Sequence, residues 1–398
     1  MSAKGPTNSA ALTHLAVAGY RSLQQLILPL GGLTVVCGAN GCGKSNLYRS
    51  LALVAAAARG DLVAALAAEG GLPAVFWAGP ERTSAAMRRG EQPVQGGQRR
   101  EAARLRLGIA GDSLSYAIEL GYRADDFASA FVLDPEIKRE WIWAGGPFHP
   151  RSLLVQRRGP VVERVGAGGG RHQPLALEVS PHDSLFTAVS DPLEAPEVFQ
   201  LRRTIESWRF YDSFRTDRQA PARAGRLATR TPSLAADGGD LAAAVQTILE
   251  IGDKQGLQGA VADAFPGCRL GVDASQPIFR LQLHQPGLLR PLDAAELSDG
   301  TLRYLLLAAA LFSPRLPPLL VLNEPENSLH PDLLAPLARL IAVVAQRTQV
   351  WVVAHAEALI LALQEAPGCQ VLRLERELGA TLLPGQTALE RAAWRWPS

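Results

Sequence analysis

The sequence has few cysteines, no long apolar run and no export signal. Its four cysteines form neither a CxxC pair nor a metal-ligand spacing, which argues against a disulfide framework and a zinc site. No apolar run reaches the ~18 residues that a membrane-spanning helix needs. The N-terminus also lacks a basic segment followed by an apolar one. We therefore expect a cytoplasmic protein without a membrane partner.

The sequence also has no large excess of positive or negative charge. Forty basic and 38 acidic residues give a formal net charge of +2, so no global field draws the protein to nucleic acid or membrane. Lysine is scarce, because only four of the 40 basic residues are lysines and the rest are arginines. One of the four, Lys44, lies in a glycine-rich segment, and this position is the first indication of function.

The segment Gly38–Ser45, GANGCGKS, has the GxxxxGK[ST] pattern. It follows the apolar run Leu33–Cys37, which predicts a buried strand, and it precedes a helical pattern that fades near Gly60. A P-loop requires this context, because the loop N–H groups and the helix N-terminus then face the same phosphate. The predicted nucleotide ligands are Gly38, Asn40, Gly41, Gly43, Lys44, Ser45 and Asn46. The Ser45 hydroxyl is also predicted to bind Mg²⁺.

Two cysteines, Cys37 and Cys42, lie beside and inside this loop. One interpretation is that both are ordinary reduced thiols. The alternative is that oxidation of Cys42 blocks nucleotide binding. The sequence leaves both interpretations open.

Two further motifs lie in the last third of the chain. The first, ELSDGT at Glu296–Thr301, precedes a helical pattern and offers the Ser298 hydroxyl and the Gly300 N–H to a phosphate. Taken alone, it could also be a plain helix cap. The second, LLVLNEPENSLHP, is an apolar strand that ends in polar residues. This arrangement places a metal-side group, Asn323, and a catalytic base, Glu324, beside a γ-phosphate.

Together the motifs resemble the ABC-type ATPase heads of the RecF/SMC/OLD kind. More narrowly, they are similar to compact bacterial predicted ATPases with an LSDGT signature and an xEPExSLHP Walker B motif. The similarity extends from LAVAGYRSL (Leu15–Leu23) through GANGCGKSN, ELSDGTLRYL and NEPENSLHP to VVAHAEAL (Val352–Leu359). The implied fold class is α/β, a P-loop NTPase head of the ABC type with a β-rich insertion and no long coiled coil.

The resemblance implies catalytic roles and two cofactors, ATP and Mg²⁺. Lys44 and Ser45 would hold phosphate and metal, Glu324 would polarise the attacking water, and His355 would sense the γ-phosphate. Arg21 is either a further nucleotide contact or a plain surface arginine. The glutamine loop of such heads has no clear counterpart here.

The resemblance also implies an ATP-dependent homodimer. Ser298 and Gly300 would bind the γ-phosphate of the nucleotide held by the other head. Asn327–His330 would form a D-loop-like segment across the dimer seam. A transporter subunit is disfavoured by the LSDGT signature and by the β-rich middle of the chain.

Asn323 departs from the family pattern, which has an aspartate that supports Mg²⁺. An amide keeps the hydrogen-bonding shape but loses the negative charge, and Mg²⁺ prefers anionic oxygen. We therefore predict that ATP binding is retained and that hydrolysis is slow or depends on a partner.

The sequence suggests three parts: residues 1–80 with the P-loop, a β-rich insertion or arm at 81–200, and residues 201–398 with the other motifs. Within them, short strands are predicted between Arg104 and Val165, one of them at Phe131–Leu133. Helices are predicted at Val198–Phe214 and at Asp240–Phe265.

Two arginine-rich stretches make nucleic acid a candidate partner. Glu81–Arg106 has seven arginines and three acids, and Arg202–Arg230 has eight and three, with the aromatics of SWRFYDSFR interleaved. Arginines and aromatics suit phosphates and stacked bases. The competing interpretation is that the aromatics belong to the core and the arginines to a solvated face.

Two functions therefore compete. In the first, dimeric heads hydrolyse ATP and drive a change in DNA or in a separate effector protein, such as a nuclease or toxin, in DNA repair or phage defence. In the second, ATP gates a binding or sensor module and turnover is minor. Asn323 favours the second function, whereas Glu324 and His355 favour the first.

Overall fold

The computed structural model describes residues 11–81, 84–89, 91–93, 103–123, 130–131, 133–165, 170, 172–386 and 394–397. These residues form two compact units, and the chain passes between the units several times. The first unit contains residues 31–37 and 209–371. The second contains the described residues of 11–30, 38–208 and 372–397. The three-part division at 80 and 200 stays a prediction.

The strands, in chain order, are β1 (Leu12–Tyr20), β2 (Leu23–Pro29), β3 (Leu33–Gly38), β4 (Leu105–Gly111), β5 (Leu114–Tyr122), β6 (Pro135–Ala144), β7 (Leu153–Arg158), β8 (Val161–Val165), β9 (His172–Glu178), β10 (Arg209–Tyr211), β11 (Arg226–Leu227), β12 (Arg269–Asp273), β13 (Ile278–His284), β14 (Leu292–Asp293), β15 (Leu319–Asn323), β16 (Gln349–Val353), β17 (Cys369–Glu377) and β18 (Ala380–Leu382). The helices are α1 (Lys44–Arg59), α2 (Leu62–Ala68), α3 (Gly71–Val75), α4 (Ala85–Arg88), α5 (Leu185–Ala188), α6 (Pro196–Glu206), α7 (Leu241–Ile251), α8 (Lys254–Ala264), α9 (Asp299–Leu311), α10 (Leu334–Ala345) and α11 (Glu357–Gln364).

The second unit is built on an antiparallel sheet with strand order β2-β1-β4-β5-β6-β7-β8-β9. Helix α1 packs against β1, β4, α2, α5 and α6. One face of the sheet buries Trp141 and Trp143 together with Trp394 near the C-terminus. The rings of Trp143 and Trp394 meet edge to face with centroids 5.7 Å apart, a favoured aromatic geometry.

A buried ion pair joins β6 to β7 in this unit. Glu140 and Arg157 are both fully buried, and the Arg157 Nη1 donates to Glu140 Oε2 at 3.0 Å. The Tyr116 and Ser184 hydroxyls each donate to Glu140 Oε1 at 2.6 Å. Burial, together with the charge of Glu140, raises the pKa of Tyr116 well above its usual value, so the phenol stays a donor.

The first unit contains a parallel sheet in the order β10-β15-β16-β3, covered by buried helices. Helix α9 is buried from Leu302 to its last residue, Leu311. Strands β15 and β16 are apolar except for the terminal Asn323 and Gln349, as expected for a sheet covered on both faces. Their carboxyl ends meet at one edge, the place where ligands bind in open α/β sheets. Strand β17 begins in this unit and ends in the second, where it pairs with β18.

The structure confirms the strand Leu33–Cys37 and the helix after the P-loop, and it corrects three sequence predictions. The helix predicted at Val198–Phe214 ends at Glu206, and the aromatic segment after it includes strand β10. Pairing with β15 and burial of Trp208, Tyr211 and Phe214 override the helical pattern. Trp208, Tyr211 and Phe214 thus belong to the core, and Phe210 is half-buried.

The helix predicted at Asp240–Phe265 is two helices, α7 and α8. Gly252 ends the first, and the side chain of Asp253 caps the second by accepting from Gly256 N at 2.8 Å. The strand predicted at Phe131–Leu133 is also wrong, because Phe131 and Leu133 are exposed turn residues. Strand β9 was not predicted from the sequence. Among the described residues, no helix is both long and apolar enough to cross a membrane.

Candidate functional site: a P-loop and a Walker B edge

The glycine-rich loop between β3 and α1 has a backbone that only glycine adopts easily. Gly38 and Gly43 have φ angles of 142° and 108°. A Cβ at Gly43 would lie 2.1 Å from Thr381 Oγ1, and one at Gly38 would lie 2.3 Å from the Leu374 carbonyl oxygen. The loop is therefore tightly packed on its outer side, against the β17–β18 hairpin of the same unit.

Lys44 is the first residue of α1, and its side chain is buried. Its Nζ donates to the carbonyl oxygens of Gly38 at 2.6 Å and Ala39 at 3.2 Å. These bonds hold the ammonium over the loop, at the positive end of a 16-residue helix. The neighbouring Ser45 and Asn40 are exposed. The loop therefore combines a fixed cation with an accessible hydroxyl, the donor set that a phosphate with its Mg²⁺ requires.

A hydroxyl network supports the loop from behind. Asn46 Nδ2 donates to Ser22 Oγ at 2.9 Å, and Ser22 Oγ lies 2.7 Å from Thr381 Oγ1. Thr381 Oγ1 in turn donates to the Cys42 carbonyl oxygen at 2.7 Å. Arg376 also donates to the loop, to the Gly41 carbonyl oxygen at 3.3 Å. Sequence reasoning did not find Ser22, Thr381 or Arg376, because they lie far from the loop in the chain.

The sequence left two possible roles for each of Arg21 and Cys42. Arg21 forms an ion pair with Glu69 at 2.9 Å and has a positive φ of 47°. These contacts give it a structural role, and a contact to nucleotide stays a prediction. Cys42 is a free thiol with 2% exposure, so oxidants have little access to it. This burial supports the interpretation as an ordinary reduced thiol.

In the first unit, β15 ends at Asn323, and Glu324 follows with a φ of 46°. A left-handed backbone is costly for a residue with a Cβ, and such strain is typical of functional positions. Glu324 N donates to the Val353 carbonyl oxygen at 2.8 Å, and Asn327 Nδ2 donates to Glu324 Oε2 at 2.8 Å. The first bond fixes the backbone of Glu324, and the second orients its carboxylate, as a general base requires.

Glu326, the second glutamate of NEPE, links this edge to His355. It is 6% exposed, and its Oε1 accepts from the backbone N–H groups of His355 at 2.5 Å and Ala356 at 3.0 Å. The His355 Nδ1 lies 3.2 Å from the same oxygen, while the ring is 45% exposed on the other side. Glu326 thus orients the histidine from its buried side, and the other side of the ring is exposed to solvent. The sequence signal was available, since Glu326 lies two residues after Glu324 in the motif.

The signature segment is a helix cap with two additional contacts. Ser298 caps α9 by accepting from Thr301 N at 3.2 Å. A Cβ at Gly300 would lie 2.9 Å from the Ser328 carbonyl oxygen, so the glycine allows close approach of the predicted D-loop segment. Arg223 anchors the signature, donating to the Leu297 carbonyl oxygen and to Asp299 Oδ1, both at 2.7 Å. Ser298 stays exposed and available to a ligand.

Arg303, on α9, lies buried beneath the Walker B edge. It donates to the carbonyl oxygens of Glu324 at 3.1 Å and Phe214 at 3.4 Å. Burial lowers the pKa of this guanidinium, and the charges of Glu326, Asp212 and Glu324 partly offset that effect. Asp212 is in addition hydrogen bonded to Asn323, with 2.7 Å between Asn323 Nδ2 and Asp212 Oδ1. Neither Arg303 nor Asp212 was predicted from the sequence, and reading RFYD as a strand would have found Asp212.

A family model described as "AAA domain, putative AbiEii toxin, Type IV TA system" matches residues 33–360, which is 328 of the 398 residues. The match includes the P-loop, the signature, the Walker B motif and His355. The chain belongs to this family of P-loop ATPases. The predicted fold class is therefore confirmed: an α/β P-loop NTPase head of the ABC type with a large antiparallel β unit. In the described part of the chain the longest helix has 16 residues, too short for a coiled-coil arm.

Several solved structures are similar to this ATPase. One is the SmcHead bound to the C-winged helix domain of ScpA, with 12% identity, 95% of this chain and 99% of that chain covered, and a TM-score of 0.49. A second is the SMC head domain from Thermotoga maritima, with 15% identity, coverage of 94% and 99%, and a TM-score of 0.47. A third is the Smc head domain with an extended coiled coil bound to the C-terminal domain of ScpA derived from Pyrococcus furiosus, with 11% identity, coverage of 96% and 97%, and a TM-score of 0.48. No curated protein matches the sequence.

Proposed function

We propose that this chain binds and slowly hydrolyses ATP, and that two copies dimerise around the nucleotide to control an effector protein. Lys44 and Ser45 bind the phosphates and Mg²⁺. Glu324 takes the proton of the attacking water, and His355 contacts the γ-phosphate. Ser298 and Gly300 bind the nucleotide of the second copy. Mg²⁺, when bound, neutralises the charge on the phosphates.

One observation carries this proposal: Glu324 is held in a strained left-handed conformation by a backbone bond, and Asn327 fixes its carboxylate. A protein that only bound ATP would not need an oriented base at the end of a Walker B strand. Strain of this kind persists only where the surrounding structure imposes it. The buried Glu326 behind His355 adds a second oriented group.

The family description suggests the biological context, because it names a putative toxin and a toxin–antitoxin system. We propose that the chain acts in such a defence system and that a separate toxin or nuclease is its effector. The narrower membership in the compact bacterial ATPases with an LSDGT signature belongs to the same proposal. A role in DNA repair is the alternative within this class.

Nucleic acid is the weaker candidate partner, because many of the arginines in question have internal partners. In Arg202–Arg230, Arg202 pairs with Glu206 at 2.9 Å, and Arg223 is anchored under the signature. Part of Glu81–Arg106 lies outside the described residues. Within its described part, Arg104 and Arg106 both contact Glu119. These pairs support the interpretation of a largely structural or solvated set.

Steady-state ATP turnover and molar mass by light scattering test the proposal on the wild type, Lys44→Ala, Glu324→Gln and the surface control Glu365→Gln. Lys44→Ala should lose nucleotide binding. Glu324→Gln should lower turnover about 100-fold or more, because a general base contributes that much, and should accumulate an ATP-bound dimer. The control should match the wild type.

The second candidate, an ATP-gated sensor, is favoured by the uncharged Asn323. In that case Glu324→Gln and the wild type would form the same ATP dimer with equally negligible turnover. Rapid turnover by the wild type without any partner would contradict the slow hydrolysis that we propose.

A further inference from the structure

Asp212 and Asn323 end neighbouring parallel strands. In the β10–β15 register, Arg209 pairs with Leu320, Phe210 with Val321 and Tyr211 with Leu322. The next pair along the two chains is therefore Asp212 with Asn323. Parallel strands lie about 4.8 Å apart, so the register alone brings these two side chains together at the carboxyl edge of the sheet.

The contact between them is a directed hydrogen bond. Asn323 Nδ2 donates to Asp212 Oδ1 at 2.7 Å. Within the described part of the chain, no hydrogen bond reaches Asp212 Oδ2, and the residue is exposed. The amide thus holds the carboxylate in place while one of its oxygens stays open to solvent.

The oxygen of the Asn323 amide lacks a hydrogen-bond partner in the described part of the chain. This oxygen, Oδ1, is also buried. A buried acceptor without a partner costs free energy, and in native structures it calls for an explanation such as a bound water or ion. The pair therefore combines an exposed carboxylate oxygen with a buried amide oxygen that lacks a partner, and both are ligand types that Mg²⁺ accepts.

The local charge favours a cation. The carboxylates of Asp212, Glu324 and Glu326 all act on the buried guanidinium of Arg303. Among these four groups, negative charge is in excess, because three carboxylates face one guanidinium. A divalent cation balances this charge, whereas a hydrogen bond from Asn323 does not.

We propose that Asp212 supplies the Mg²⁺-side carboxylate that Asn323 lacks, with the amide positioning it. In this arrangement the carboxylate lies at the end of β10 and not at the end of the adjacent β15. This inference rests on the proposed binding of ATP with Mg²⁺. It predicts that the charge at position 212, and not the residue at 323, decides how strongly Mg²⁺ promotes nucleotide binding.

Binding of a fluorescent ATP analogue, mant-ATP, tests the inference when measured in Mg²⁺ and in EDTA. Electron paramagnetic resonance of Mn²⁺ with the same analogue counts bound ions without any turnover. The variants are Asp212→Asn, the relocated pair Asp212→Asn with Asn323→Asp, and the control Asp217→Asn. Asp217 is a fitting control because it lies on the same segment, is also exposed, and pairs with Arg215 and not with Asn323.

Asp212→Asn should weaken binding in Mg²⁺ by about 10- to 100-fold, the usual loss on removing a group that supports a metal. Its binding in EDTA should equal that of the wild type, which also shows that the variant is folded. The relocated pair should regain the Mg²⁺ effect and the Mn²⁺ signal. Asp217→Asn should change neither.

An unchanged Mg²⁺ effect and Mn²⁺ signal in Asp212→Asn would overturn the inference, and so would a relocated pair that regains nothing although it binds mant-ATP in EDTA. Failure of the proposed function gives a different result. In that case the wild type would not bind mant-ATP at all, or Lys44→Ala would bind it equally well.

Discussion

Glu326 accepts the backbone N–H of His355 at 2.5 Å, and the same oxygen lies 3.2 Å from the His355 ring nitrogen Nδ1. A buried carboxylate therefore joins the loop after β15 to the loop after β16. Glu326 lies two residues after the candidate base Glu324, so one side chain connects the loop that carries this base to the loop that carries His355. Glu326 is a positioning residue in this scheme, since it does not face the exposed side of the histidine.

Replacement of Glu326 should separate positioning from folding. Glu326→Gln keeps a carbonyl oxygen for the two N–H groups and should lower kcat while leaving KM for ATP nearly unchanged. Glu326→Ala leaves both N–H groups unpaired and should lower the free energy of unfolding by about 1–3 kcal/mol. Turnover assays and denaturant melts measure the two effects, with Glu365→Gln as the surface control. Equal kcat in Glu326→Gln and the wild type would contradict the positioning role.

The strained backbone at Glu324 predicts that glycine is more stable than alanine at this position. Glu324→Gly should unfold with a free energy about 1 kcal/mol higher than Glu324→Ala, because only glycine adopts a φ of 46° without strain. Both variants should lack hydrolysis. Glu365 has a φ of −72° and provides the matched control, where glycine should be less stable than alanine. The same order at both positions would argue against strain at Glu324.

The hydroxyl network behind the P-loop predicts an effect of Thr381 on nucleotide binding. Thr381→Val has the same shape but leaves the Cys42 carbonyl oxygen and the Ser22 hydroxyl without this partner. It should cost about 1–3 kcal/mol of unfolding free energy and weaken ATP binding. Thr381→Ser keeps the hydroxyl and should bind ATP like the wild type. Calorimetric titration measures the ATP affinity of each variant. Equal affinities for the valine and serine variants would refute the supporting role of Thr381.

The Glu140–Arg157 pair predicts strongly non-additive mutations in the β-rich unit. Arg157→Met leaves Glu140 buried without its charge partner and should cost about 3–5 kcal/mol of unfolding free energy. Adding Glu140→Gln should recover part of that loss, because the uncompensated charge is then removed. A double-mutant cycle from urea melts measures the coupling. Additive losses would show that the two charges do not depend on each other.

The sequence alone determined the motif positions. A GxxxxGK[ST] loop between an apolar strand and a helix has few physical alternatives, since both the turn and the anion site depend on local backbone. The helix after ELSDGT and the strand before NEPE followed from periodicity for the same reason. These elements are local, and their identity does not depend on distant partners.

Only the tertiary structure decided which distant side chains support the motifs. The segment RFYD follows a helical pattern, yet pairing with β15 makes it a strand, and its register then places Asp212 beside Asn323. Thr381 reaches the P-loop in the same way, through strand pairing and packing at long sequence separation. The sequence therefore identified the residue that departs from the pattern, Asn323. The fold supplied the neighbouring carboxylate, because strand register is set by non-local hydrogen bonds that no local pattern contains.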